Sequence, residues 1–205
     1  ARHRQSENFG SAKDTQSRLL TNLPASGLLG MEKLRILHVA HRIYPPNFGG
    51  ASIYTDRICE LHSERGHKVE AWTTLEGQMP RIAWRDGYVV RRYPALFSSL
   101  DNPLALRMLP DLVRCLKSNF DLVVAHSHLM FTSSLAFLAS RLTHTPLILI
   151  SHGYGVKRTA VLNSLQAAYL ATCSRTIVTK SNRVVALTAR EAATLMKLGV
   201  HARHC

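Results

Sequence analysis

Short apolar runs alternate with segments of helical periodicity along most of the chain. Runs of about four to eight mostly apolar residues are typical of buried strands, whereas apolar positions three and four residues apart indicate helices with one buried face. Six runs predict strands: residues 34–41, 68–74, 88–93, 121–126, 146–151 and 183–188. Helices are predicted over residues 51–65, 110–117, 130–142, 162–178 and 189–198. The segment between the second and third strands, which contains Met79-Pro80 and Asp86-Gly87, is predicted to be a polar connection.

This alternation of strands and helices predicts an α/β protein with a doubly wound, mainly parallel sheet. The near-continuous apolar character of LRILHVAH, DLVVAH and PLILIS fits strands that are covered on both faces. In such sheets ligands bind beyond the carboxyl ends of the strands. The residues of interest therefore follow the strands directly, at 45–50, 127–128, 152–155 and Thr188.

The two ends of the chain differ from this pattern. Residues 1–30 are rich in Ser, Asn, Gln and Arg and lack sustained periodicity, so we expect them to lie outside the fold. A disordered arm, an upstream extension and a cloning remnant all fit this segment. Residues 31–200 are predicted to form the domain, with Met31 as a natural start, and residues 201–205 to be a truncated end.

Composition excludes several classes of protein. With 46% hydrophobic and 19% charged residues, the chain is typical of a folded protein rather than a disordered or fibrous one. The longest apolar stretches, 129–139 and 146–150, are far shorter than the roughly 18 residues of a membrane-spanning helix. The N-terminal residues show no secretory signal, so a cytoplasmic location is expected. The spacing of Cys59, Cys115, Cys173 and Cys205 indicates reduced thiols rather than zinc ligands.

The net charge of +13 is unevenly distributed. Residues 122–205 hold nine basic side chains and the single acid Glu191. This excess favours a negative partner: a phosphorylated small molecule, an anionic membrane surface, nucleic acid or an acidic domain. Nucleic acid is the weakest of these, because no recognition motif or basic stripe with interleaved aromatic residues is present.

The loop YPPNFGG ends in Gly49 and Gly50 at the start of the first predicted helix. Amide groups and the helix dipole favour an anion there, and the missing side chains let a phosphate approach the backbone. The loop matches neither the GxxxxGK[ST] nor the GxGxxG motif, which weakens the ATPase and nicotinamide-dehydrogenase interpretations. The pair fits either a diphosphate site or a tight turn.

Histidines follow two of the predicted strands. His152, in SHGYG, is placed to hydrogen-bond a ligand or to cap its own loop. His126 and His128 raise a metal alternative together with His152, but no carboxylate or cysteine joins them at a suitable sequence spacing. Lys157 and Arg158 fit either a contact with a phosphorylated acceptor or a solvated surface pair.

The order of LRILHVAHRIYPPNFGGASIYTDRICELHSERGHKVEAWTT, DGYVVRRYP, DLVVAHSH, PLILISHGYG and RVVALTAREAATLMKLGV resembles the N-terminal domain of retaining glycosyltransferases of family 4. The resemblance spans about residues 34–200. It implies a GT-B architecture, in which two Rossmann-like domains face each other across a cleft. The N-terminal domain chiefly holds the acceptor and the C-terminal domain the nucleotide-sugar.

Site roles follow from the resemblance. It implies that Gly49 and Gly50 lie near the donor diphosphate and that His152 is the catalytic residue in contact with the transferred sugar. It implies no metal and no cofactor, because basic side chains neutralise the diphosphate. The substrate-side residues expected with them are His128, Gly153, Lys157 and Arg158.

The sequence also departs from the family. The EX7E glutamate pair and the basic pair on the diphosphate are absent, so we expect a fragment or one subunit of a split enzyme. Expected partners are a nucleotide-sugar donor, an acceptor of open identity that includes lipid-linked molecules, a C-terminal donor domain or subunit, and the inner face of an anionic membrane; no nucleic acid is expected. The alternative is a non-catalytic Rossmann-like module that binds an anionic ligand, a membrane surface or a partner protein.

Overall fold

The structure is a computed structural model, and it describes residues 32–96, 102–153 and 170–200. Its strands are β1 (Arg35–Val39), β2 (Lys68–Thr74), β3 (Ile82–Arg85), β4 (Tyr88–Tyr93), β5 (Leu122–His126), β6 (Leu147–Ile150) and β7 (Arg183–Val185). Its α-helices are α1 (Gly50–Glu64), α2 (Met108–Leu116), α3 (Phe131–Thr143), α4 (Arg175–Lys180) and α5 (Ala189–Lys197). A π-helical turn, Leu170–Ser174, precedes α4.

The strands form one sheet in the order β3-β4-β2-β1-β5-β6-β7, and every neighbouring pair except β3 and β4 is parallel. The chain builds outward from β1 through β2 to β4, and then returns to the other side of β1 through β5, β6 and β7. This confirms the predicted Rossmann-like, doubly wound α/β fold. The direction of winding reverses between β1 and β5, which is where sheets of this kind form a ligand crevice.

Successive side chains of a strand point to opposite faces of the sheet, and each face packs in a different hydrophobic core. On one face, odd-numbered residues of β1 and β5 pack with α2, α3, α4 and α5 in the largest hydrophobic cluster. On the other face, α1 covers two smaller clusters. The second of these contains Ile36, Val124 and Ile150, packed with Tyr54 of α1. This face leads directly to the histidines of the candidate site.

The segment predicted to be a polar connection contains a strand, so the prediction of six strands is wrong. β3 pairs antiparallel with β4, and Asp86-Gly87 forms the tight turn between them. Gly87 has a φ of +83°, a left-handed conformation that suits a two-residue hairpin turn. The Asp-Gly pair between two residues of strand character was the sequence signal for this hairpin.

Other elements agree with the prediction apart from their ends. The strand predicted over 183–188 stops at Val185, because Thr188 caps α5 by accepting a hydrogen bond from the Glu191 amide. Pro110 lies in the first turn of α2, where the backbone has no intrahelical bond to lose. Most of the helix predicted over 162–178 lies outside the described residues.

The chain divides into two compact units, Ala1–Lys33 and Leu34–Cys205, and only residues 32 and 33 of the first are described. The predicted boundaries at 30 and 200 stay predictions. None of the described helices is both long enough and apolar enough to cross a membrane.

Candidate functional site

Three histidines form a diagonal row across the carboxyl ends of β1, β5 and β6. In the sheet register His38 lies opposite Val124, and His126, two residues further along β5, lies opposite Ile150. His152 follows Ile150 by two residues. Residues two apart on a strand share a face. Because His126 and His152 each lie two residues beyond the position opposite the preceding histidine, all three imidazoles lie on the face that α1 covers.

These three imidazoles and His62 of α1 form one hydrogen-bonded chain. His62 Nδ1 lies 3.0 Å from His38 Nε2, and His38 Nδ1 lies 3.0 Å from His126 Nε2. His126 Nδ1 in turn lies 3.1 Å from His152 Nε2. We call these four residues the histidine chain.

Burial keeps the histidine chain neutral. His38 is fully buried, and burial together with the neighbouring His62 lowers its pKa to about 3. Burial, followed by the charges of neighbouring histidines, holds the pKa of His126 well below its usual range. Burial also lowers the pKa of His62 and of His152, and at His152 the nearby Glu191 opposes that shift. At neutral pH the site therefore presents imidazoles rather than imidazolium ions.

His152 is the member of the chain that lies at the carboxyl end of β6, and it is half-buried. Its ring stacks on His126 with the centroids 5.4 Å apart and meets the Tyr54 ring edge-on at 5.3 Å. Two aromatic contacts and one hydrogen bond thus fix its orientation. A side chain held in this way can position a ligand group without reorganising.

Glu191 of α5 binds the two residues on either side of His152. Its carboxylate accepts hydrogen bonds from the Ser151 hydroxyl and the Gly153 amide, each at 2.5 Å, and from the Leu187 amide at 2.9 Å. Burial raises the pKa of Glu191, but these three donors outweigh burial and lower it overall. Glu191 is therefore an ionised carboxylate satisfied by the loop that carries His152. Gly153 has a φ of +84°, which favours glycine at this bend.

Ser127, which lies between His126 and His128, has a left-handed backbone conformation. Ser127 has a φ of +68° at the end of β5, where its amide donates to the Ile150 carbonyl. His128 consequently joins Ser151, whose Oγ lies 3.2 Å from its Nδ1. Its ring is fully buried, and burial lowers its pKa to about 4 against the opposing effect of Glu191.

Gly49 and Gly50 begin α1 and are exposed. Gly49 is the N-cap with φ −73° and ψ 146°, and as a glycine it has no side chain with which to cap the helix. A Cβ built on Gly50 meets no atom within 4 Å, and one on Gly49 meets only Ser52 Oγ, at 3.8 Å. The fold itself therefore leaves room for side chains at both positions.

The loop before these glycines is fixed from the neighbouring strand. Glu76, which follows β2, accepts hydrogen bonds from Arg42 and Asn47, each at 2.5 Å. Both carboxylate oxygens of Glu76 are thereby used. These two bonds fix the conformation of the loop that leads into α1.

The structure brings some of the predicted site residues together. His152 and Gly153 share one loop, and Tyr54 places the start of α1 beside them. His128 supports Ser151 from the interior, and Lys157 and Arg158 lie outside the described residues. Within residues 32–96, 102–153 and 170–200, no three His, Cys, Asp or Glu side chains converge as metal ligands would.

The sequence analysis missed four residues of the site: His38, His62, Glu191 and Thr55. Thr55 belongs to α1, and its Oγ1 lies 3.1 Å from His126 Nδ1. Glu191 carried a signal, because Thr188-x-x-Glu191 matches the pattern of a helix capping box. His38 and His126 both end buried strands at equivalent positions, which a face-by-face comparison of the strands could have revealed. His62 and Thr55 become visible only when α1 is packed on the sheet.

The family model that describes glycosyltransferase family 4 matches residues 48–205. The chain therefore belongs to glycosyltransferase family 4. No curated protein matches the sequence.

Solved structures support the fold. Sucrose-phosphate synthase from Thermosynechococcus elongatus is 14% identical, with a TM-score of 0.60 over 80% of this chain and 45% of its own. HepE from Anabaena, solved in complex with UDP, is 14% identical, with a TM-score of 0.56 over 83% of this chain and 42% of its own. UDP-N-acetylglucosamine 2-epimerase from Rickettsia bellii is 13% identical, with a TM-score of 0.50 over 84% of this chain and 44% of its own. The chain spans less than half the length of each of these proteins.

Proposed function

We propose that this chain is the acceptor-side domain of a retaining glycosyltransferase that transfers a sugar from a nucleotide-sugar donor to an acceptor. The supporting observation is the meeting of α1 with the end of β6, where Tyr54 packs against His152. Tyr54 follows Gly50 by four residues, about 6 Å along a helix. A diphosphate at Gly49 and Gly50 would therefore leave its sugar within reach of His152.

The glycine pair and His152 have different roles in this proposal, which follow from their chemistry. Exposed amides at Gly49 and Gly50 donate to the diphosphate, whose negative charge grows as it leaves. The His152 imidazole, neutral and fixed in orientation, hydrogen-bonds the transferred sugar and holds the reacting carbon beside the acceptor hydroxyl. Gly153 leaves space beside it, and Glu191 holds the loop in place.

The donor domain lies in another part of the enzyme in this proposal. The UDP in the HepE structure favours a nucleotide diphosphate as the leaving group. The acceptor is held by Gly153, Lys157 and Arg158, and lipid-linked molecules are one candidate class. His128 was also expected to touch the acceptor, but its ring is fully buried, so it supports the loop from beneath through Ser151 instead. We place the enzyme in the cytoplasm, with its basic surface toward an anionic inner leaflet.

A comparison of the 205-residue chain with the same chain joined to a donor domain tests this function. The assay measures nucleotide release from UDP-glucose, UDP-N-acetylglucosamine and GDP-mannose in the presence of a lipid extract. We expect turnover only by the two-domain protein, because the groups that stabilise the leaving diphosphate come from both sides of the cleft. Turnover by the short chain alone would refute the domain assignment. Ligand binding without turnover by the two-domain protein would support the non-catalytic module instead.

A further inference from the structure

The histidine chain joins two regions of different exposure. His62, near the end of α1, and His152, at the end of β6, are both half-buried, while His38 and His126 between them are at most 2% exposed. Each of the three links between neighbouring rings is a hydrogen bond of 3.0 or 3.1 Å. A neutral imidazole has one N–H and one bare nitrogen, so four rings can bond head to tail without interruption.

Thr55 selects the direction of these bonds. Its hydroxyl donates to the Ala51 carbonyl at 2.8 Å, so it offers only a lone pair to His126 Nδ1, 3.1 Å away. The proton of His126 then sits on Nδ1, where it is shared between Thr55 Oγ1 and His152 Nε2, each 3.1 Å away. This leaves His126 Nε2 bare to accept from His38 Nδ1. The same logic puts the proton of His62 on Nδ1, and the proton of His152 on Nδ1 because its Nε2 accepts. One threonine thus fixes the tautomers of all four histidines.

We propose that the histidine chain is a proton relay between solvent at His62 and the ligand site at His152. A proton that enters at His62 Nε2 sends the Nδ1 proton of each ring to the Nε2 of the next. His152 Nδ1 then releases its own proton to the ligand. Four N–H bonds break and four form, counting the entry at His62 and the release at His152, so the net charge of the chain is unchanged and every tautomer is reversed. In the reversed state the Thr55 hydroxyl turns from the Ala51 carbonyl to donate to the bare Nδ1 of His126.

The reversed chain works in the opposite direction. His152 Nδ1, now bare, can take a proton from a ligand hydroxyl, and His62 Nε2 returns one to water. This role at the ligand rests on the proposed function, in which an acceptor hydroxyl loses a proton and the leaving diphosphate can gain one. The relay itself rests only on the four rings and Thr55.

The charged and titratable neighbours keep the relay neutral. Burial, followed by the charges of His67 and Arg65, disfavours the charged form of His62. Burial also dominates at His126, with His41 among the histidines that add to it. At the other end Glu191 favours the charged form of His152, while burial disfavours it. Burial also raises the pKa of Tyr54, so this neighbour of His152 stays a neutral phenol.

Nitrogen NMR of the 205-residue chain with 15N-labelled histidine tests the direction of the chain without any donor or acceptor. At pH 7.5 we expect the Nδ1–H tautomer at His62, His38, His126 and His152, the reverse of the Nε2–H form that neutral histidine prefers in water. Thr55→Val should abolish the single tautomer at all four residues together. Thr176→Val is the matched control, because Thr176 makes the same bond to a carbonyl four residues back. Two adjacent rings with opposed tautomers in the unmodified chain would overturn the proposal.

Proton movement is tested by the exchange of the His126 ring proton with water. A relay needs an open entrance and an open exit, so His62→Gln should slow this exchange roughly tenfold or more, relative to the backbone amides of β5. His144→Gln, at an exposed position, should leave it unchanged. Unchanged exchange in the His62 variant would refute the relay. Because neither measurement uses a sugar, both outcomes are independent of whether glycosyl transfer is found.

Discussion

The carboxylate of Glu191 accepts a hydrogen bond from the backbone amide of Gly153, 38 residues earlier in the chain. This contact ties the first turn of α5 to the residue directly after His152. It lies across the end of β6 and β7, which are neighbouring strands. The orientation of the candidate catalytic histidine thus depends on a carboxylate of α5.

Glu191→Gln should destabilise the chain by about 1–3 kcal/mol, because one amide group of glutamine cannot accept from all three present donors. Chemical unfolding at pH 7 measures the change. Glu64→Gln, at an exposed carboxylate of α1, is the control and should change stability little. Since the pKa of Glu191 is lowered in the fold, its stabilising effect is present above its ordinary pKa of 4.5 and is lost as the pH falls below it. Equal stability of the two variants would show that the hydrogen bonds of Glu191 contribute nothing to the free energy of unfolding.

Stability should also fall as the pH drops below about 6.5, the ordinary pKa of histidine. The folded pKa of His38 is about 3, so in this range the unfolded chain binds a proton that the folded chain does not. Each such histidine contributes a slope of about 1.4 kcal/mol per pH unit. His38→Gln should remove one such contribution between pH 6 and pH 4, which chemical unfolding at a series of pH values measures. A parallel pH dependence in the variant and the unmodified chain would contradict the buried neutral state of His38.

Gly50→Val in the two-domain enzyme should impair donor use far more than folding. The structure leaves at least 4 Å of open space around a Cβ at Gly50, so the branched side chain obstructs a bound phosphate rather than the fold. Donor affinity and melting temperature are measured side by side. Ala51→Val controls for a β-branched residue in the first helical turn. Normal donor affinity with lowered stability would make Gly50 a purely structural residue.

His152→Ala in the two-domain enzyme should lower kcat and kcat/KM together by roughly a hundredfold, since a positioning contact matters most in the transition state. His144→Ala serves as the control at an exposed histidine. Added zinc should not restore activity. Near-normal turnover would remove His152 from the site, and rescue by zinc would favour the metal alternative with His126 and His128.

Binding to vesicles should depend on anionic lipid and weaken with salt. The basic residues described after position 121 are all exposed: Arg141, Arg175, Lys180, Arg183, Arg190 and Lys197. Each basic side chain near an anionic surface contributes about 1 kcal/mol. Joint Lys157→Glu and Arg158→Glu substitution should reduce cosedimentation more than Lys117→Glu, at an exposed lysine before residue 121. Sedimentation that is indifferent to lipid charge would exclude the membrane contact.

The sequence predicted the sheet well because its strands are buried on both faces and have little polar interruption. It missed β3 because Ile82–Arg85 is short and mixes exposed and half-buried residues, which hides the apolar alternation of a strand. The hairpin turn at Asp86-Gly87 was the stronger signal.

Of the candidate site, only the residues at the ligand-facing edge of the sheet could be predicted from the sequence. His152 and Gly153 follow a buried strand, so topology alone placed them at the ligand edge. The link from His38 to His126 joins residues 88 apart and depends on the register of β1 against β5. The role of Thr55 depends on the packing of α1, which no periodicity in the sequence specifies.

The left-handed backbone at Ser127 separates two electrostatic environments at the carboxyl edge of the sheet, one neutral and one with a negative charge. His126 before it belongs to a row of uncharged rings, and His128 after it lies with Ser151 beside an ionised carboxylate. Had β5 continued with regular alternation, both histidines would face the same side and their charges would be coupled. One reversed residue thus lets a neutral network and an anionic network operate within a few ångströms of each other.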